Sequence, residues 1–89
     1  MIDYYYELPP GTKLFGIERR YVAQYDYHPE NASRFERVVH SQAMMHCSRA
    51  WMQNANGVQE VNRYQDAVWH KKADSREFAL VKLQAVEIV

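Results

Sequence analysis

Residues 29–57, PENASRFERVVHSQAMMHCSRAWMQNANG, decide how this chain is read. A proline suits a first helical turn. Ser33 followed three residues later by Glu36 has the capping-box pattern, in which the hydroxyl accepts an unpaired amide of the first turn. No Gly or Pro interrupts the run beyond that point, and Asn56-Gly57 supplies a left-handed stop. The expectation is one long helix over residues 30–54.

At about 100° per residue, Phe35, Val39, Ala43, His46, Cys47 and Ala50 fall on one arc, the expected core face. A second apolar set stands apart from it. Val38, Met45 and Met52 follow one another at intervals of seven, and Met44 and Trp51 form another such pair. A helix apolar over that width is buried on more than one side. Either the chain wraps around it, with the Tyr-rich N-terminus as a lid, or a second surface meets another protein or a second copy of the chain. Methionine adapts to irregular surfaces and tryptophan is a common interface anchor. Val38, Met44, Met45, Trp51 and Met52 are therefore the expected protein-contact residues.

Upstream, Ile2, Tyr4, Tyr6 and Leu8 alternate with Asp3, Tyr5 and Glu7, a period of two that predicts a strand. Pro9-Pro10-Gly11-Thr12 ends it. Residues 13–27 fit helical and strand spacing alike; Gly16 and the β-favouring Ile17, Val22 and three tyrosines favour a strand. Downstream, Val58, Val61, Tyr64 and Val68 have helical spacing, while residues 66–72 read equally well as a short strand. Residues 71–76 look like a polar turn, and residues 78–89, rich in Val, Leu and Ile, like a final strand. The fold class expected is α+β. Residues 1–89 would form a single domain, with a long central helix packed on a short antiparallel sheet of N-terminal and C-terminal strands.

Composition narrows the functional classes. The 89 residues are 47% hydrophobic and 25% charged, which fits a folded domain, and no apolar run reaches the length of a membrane-spanning helix. Eleven basic and eleven acidic residues cancel, and no third of the chain departs far from balance. A basic patch of the kind that holds nucleic acid by counterion release is therefore missing. The nearest approach is Arg19, Arg20, Tyr21 and Tyr25, which interleave charge and aromatics as single-strand binders do, but Glu18 and Asp26 flank them. The acidic, Tyr-rich start lacks the pattern of a secretory leader. With Cys47 the sole cysteine, a cytoplasmic location is expected.

Catalytic and metal chemistry find little support. Glu36, His40 and Cys47 lie on one helical stripe, yet seven residues of helix separate His40 from Cys47 by about 10 Å. A nucleophile and its base need hydrogen-bond contact. Glu36 and His40, one turn apart, would pair and favour the protonated imidazole. No histidine–cysteine spacing suits zinc, and no Gly-rich phosphate loop is present. The expectation is therefore no enzyme, no cofactor and no metal. It is instead a small protein-binding regulator, such as an inhibitor of phage or mobile-element type, or a homodimer, with nucleic-acid binding as the alternative.

Overall fold

The alternation in β1 (Asp3–Glu7) is what organises the molecule, because β1 lies inside the sheet with a strand on either side. In the computed structural model, which describes residues 2–64 and 67–87, the chain leaves β1 through a small hairpin, β2 (Lys13–Leu14) and β3 (Ile17–Glu18). It returns as β4 (Tyr21–Gln24), antiparallel to β1. Helix α1 (Arg34–His46) follows, then β5 (Arg49–Asn54), β6 (Gly57–Tyr64) and β7 (Ala67–Lys72). Helix α2 (Ser75–Gln84) and the two-residue β8 (Val86–Glu87) complete the chain. The strand order is β7-β6-β5-β1-β4-β8, antiparallel except where β8 joins β4.

The α+β class holds, and the helices lie on opposite faces of the sheet. Tyr6, Val22, Ala50 and Val61 cluster with Ala43 of α1 on one face. Tyr5, Ala23 and Trp51 cluster with Phe78 and Val81 of α2 on the other. The pleat sends Tyr5 and Tyr6 in opposite directions, so each becomes fully buried in a different core. Each large apolar side chain sealed this way contributes about 1.5–3 kcal/mol.

The helix expected over residues 30–54 is shorter than that. Ser33 caps it as anticipated, its hydroxyl accepting from the Glu36 amide at 3.1 Å. It stops at His46. Cys47 takes extended backbone while its amide still donates to the Ala43 carbonyl at 2.8 Å, and the Ser48 amide turns to the Glu7 carbonyl at 2.8 Å. Residues 49–53 then pair with β1, setting Trp51 opposite Tyr5 and Ala50 opposite Tyr6. As a strand this segment buries residues on both sheet faces, which outweighs the modest helix propensity of its sequence. Asn56-Gly57 belongs to the hairpin between β5 and β6: Asn54 pairs with Gly57, and its side chain accepts from the Asn56 amide at 2.8 Å.

The sheet therefore takes much of its width from residues 49–72 in mid-chain, not from the two ends alone. The short strand expected over residues 66–72 is β7; Asp66 lies outside the described residues. The final strand expected over residues 78–89 is mostly helix. Asp74 caps α2 by accepting from the Arg76 and Glu77 amides at 2.9 and 3.1 Å, and Phe78 and Val81 point one turn apart into the core. Residues 88 and 89 lie outside the described residues.

Candidate functional site

The five expected contact residues separate into two groups. Val38 and Met45 stand on the outer side of α1, 40% and 61% exposed. Trp51 and Met52 left the helix when it ended at His46. Trp51 is fully buried under α2, with the Arg49 guanidinium 4.9 Å from its ring, and presents no surface to a partner. Met52 and Met44 are half-buried against the α1-side core. The shared seven-residue spacing was meaningful only as far as the helix extended.

Two expected core residues move the other way. Phe35 is 47% exposed and His46 is also exposed. Phe35 lies with Val38 and Met45 along one outer stripe, and beside it stands the β2–β3 hairpin. The rings of Phe15 and Phe35 are 5.9 Å apart and tilted by 36°. Leu14, buried in the core, anchors the hairpin, while Phe15 and Ile17 at its tip are each 55% exposed. The two turn residues, Phe15 and Gly16, both have positive φ, 53° and 80°. That is the hairpin geometry Asn-Gly fits most cheaply. A phenylalanine there is held in a left-handed conformation that its side chain disfavours.

Charge on this surface has one sign along the helix. The exposed residues of α1 are Arg34, Phe35, Arg37, Val38, Ser41, Met45 and His46. The only acid of α1, Glu36, is half-buried, and its backbone carbonyl accepts from Gln24 at 2.6 Å. Arg37 is anchored by its Nε, which donates to the Ala32 carbonyl at 3.2 Å. The hairpin adds one pair, Lys13 opposite Glu18.

The aromatic–basic set is differently disposed. Arg19 and Arg20 lie in the loop entering β4, and Arg20 donates to the Leu8 carbonyl at 2.8 Å while lying 5.9 Å from the Tyr21 ring. Tyr21 packs partly against the α2-side core, and Tyr25, beyond the other end of β4, meets Tyr5 edge-on at 5.9 Å. The length of a strand separates Tyr25 from the arginines.

The Glu36–His40–Cys47 stripe is no acid–base–thiol array. His40 turns toward β1, where its Nδ1 is hydrogen-bonded with the Tyr6 hydroxyl. Burial holds His40 below its ordinary pKa, so the protonated imidazole expected from pairing with Glu36 is disfavoured. The Cys47 thiol donates to the Met44 carbonyl at 3.5 Å. Among the described residues no group of three or more His, Cys, Asp or Glu side chains is placed to hold a metal ion, and no helix is long and apolar enough to cross a membrane. Comparison of the chain with known protein families, with characterised proteins and with solved structures finds no match.

The feature that reading the sequence missed is the hairpin tip. Its signal is faint: an apolar pair, Phe15 and Ile17, around Gly16 in a two-residue turn, where polar residues are the norm.

Proposed function

We propose that this chain is a small non-catalytic regulator that acts in the cytoplasm by occupying a surface of another protein. The contact surface is formed by Phe15 and Ile17 of the hairpin with Phe35, Val38 and Met45 of α1. One observation carries the reading: a phenylalanine at the hairpin tip with a φ of 53° and more than half its surface exposed. Such a conformation costs about 1 kcal/mol or more, and burial at the tip recovers little of it. Contact with a partner would recover far more. Phe35, which meets Phe15, continues that contact onto α1, where Val38 and Met45 are also exposed; exposed apolar residues grouped in this way mark protein interaction sites.

The test places a photo-crosslinking amino acid at Val38, and in a control chain at Ser75 on α2. A defined protein adduct formed from position 38, absent from position 75 and lost on Met45→Glu, is the expected result. Adducts that are the same from both positions would refute the reading.

A further inference from the structure

The exterior of α1 carries two independent messages, an apolar stripe and a charge of single sign. Phe35, Val38 and Met45 span about 15 Å along the axis, three turns of helix. Arg34, Ser41 and Arg37 border the stripe on one side and His46 lies near its other edge, with no exposed acid on the helix. Phe15 stands beside the N-terminal half of the stripe and gives the surface a wall. An exposed helix stripe of this length is met well by another helix, ridge into groove. A basic border is met by carboxylates.

We infer that this surface receives an acidic amphipathic helix of another protein, its apolar row lying along Phe35, Val38 and Met45 and its carboxylates reaching Arg34 and Arg37. The inference rests on the protein-binding reading above and names the chemistry of the partner. A second copy of this chain fits less well, because α1 presents no exposed acid to receive Arg34 and Arg37 of the other copy. An anionic bilayer also fits less well: the stripe is narrow for an interfacial helix, and Glu18 is exposed beside Ile17 at the hairpin. A second exposed apolar pair, Leu80 and Leu83 of α2, lies on the opposite side of the sheet and serves as an internal control.

The experiment selects from a displayed library of random sixteen-residue peptides on the wild-type chain. Counter-selection uses the Val38→Glu/Met45→Glu variant, its fold checked by circular dichroism; Val38→Ser/Met45→Ser replaces it if the glutamates unfold the chain. The expected peptides are rich in Asp and Glu, with apolar residues at helical spacing. Their affinity falls about tenfold on Arg34→Glu/Arg37→Glu and declines with added salt, and is unchanged on Leu80→Ser/Leu83→Ser. Neutral or basic peptides that still require Val38 and Met45 would overturn the acidic partner and leave the docking reading standing. Peptides indifferent to those two residues, or no selected peptides at all, would remove both. Wild-type chain that sediments with phosphatidylglycerol vesicles and is released by the double variant would replace the protein partner by lipid. A dimer by light scattering that the double variant dissociates would make the occupant a second copy. Either result overturns the inference.

Discussion

The imidazole of His40 lies almost flat on the ring of Tyr27, centroids 4.3 Å apart and planes 12° from parallel. Tyr4 meets the same imidazole edge-on at 4.9 Å, and the Tyr6 hydroxyl is hydrogen-bonded with its Nδ1. A helix residue is thus built into an aromatic cluster whose other members come from β1 and the loop after β4. Burial raises the Tyr27 pKa, and the charges of Arg37 and Glu36 act on it in opposite directions. Protonating His40 would place a charge where burial disfavours it.

The pH dependence follows with a definite sign. The folded-state pKa of His40 is depressed by burial, so the unfolded chain binds the proton more readily. The stability tied to neutral His40 is fully present above about pH 6.5, the unfolded value, and is lost as pH falls through the folded one. Urea midpoints should hold steady from pH 8 to 7 and drop toward pH 5. The drop should flatten in His40→Asn. An identical slope in that variant would mean another group controls the transition.

Glu60 governs a separate, more acidic window. Burial alone would raise its carboxyl, but hydrogen bonds from Arg49 and Lys71, with their charges, outweigh that and hold it below the usual range. Arg49 reaches one oxygen at 3.2 Å and Lys71 the other at 3.3 Å, and Arg49 also bridges to Glu77 of α2. This stability is present above the ordinary glutamate pKa and is lost as pH falls below it. Glu60→Gln should cost about 1–2 kcal/mol at pH 7. That is less than a sealed ion pair, because the Arg49 and Lys71 side chains are 32% and 61% exposed. Urea unfolding at pH 7 and pH 3.5 reads it: the gap between variant and wild type should narrow at the lower pH.

Local signals were legible in the sequence and distant ones were not. Tyr4, Tyr6 and Leu8 alternate within one strand, and Ser33 caps its own helix, so a short window suffices for each. Residues 49–54 carry no local mark of a strand. Tyr5 and Tyr6, which pair with Trp51 and Ala50, lie more than forty residues upstream, and their pull decides the outcome. Residues 78–83 are apolar enough to read either way until Asp74 is recognised as a cap. Of the proposed contact surface, Val38 and Met45 were visible from their spacing because both belong to α1. Phe15 was not, because a positive φ at phenylalanine runs against the preference that sequence reading relies on.

The two tryptophans give a direct check on which apolar residues are core. Trp51 is fully buried and Trp69 is 44% exposed. Iodide should quench the emission of Trp51→Phe, which leaves Trp69, several-fold more strongly than that of Trp69→Phe. Trp51→Ala should cost about 3–5 kcal/mol as a core truncation. Met45→Ala, on the outer stripe, should stay within about 0.5 kcal/mol. Equal losses from the two truncations would contradict the burial described for β5 and α1.

Phe15 allows stability and binding to be pulled apart. A glycine in its place would adopt the positive φ without penalty, while the contact with Phe35 would be lost. At a half-exposed position that contact is worth less than in a core. Phe15→Gly should therefore leave the thermal midpoint unchanged or raise it slightly, by up to about 1 kcal/mol of stability. The same variant should bind a peptide selected on the wild-type surface several-fold more weakly, because the wall beside α1 is gone. Phe15→Asn, with a side chain that tolerates the left-handed conformation, should behave likewise in both assays. Thermal unfolding and peptide titration on the same preparations decide it. A clear loss of stability in both variants with binding intact would make Phe15 a packing residue of the hairpin and remove it from the contact surface.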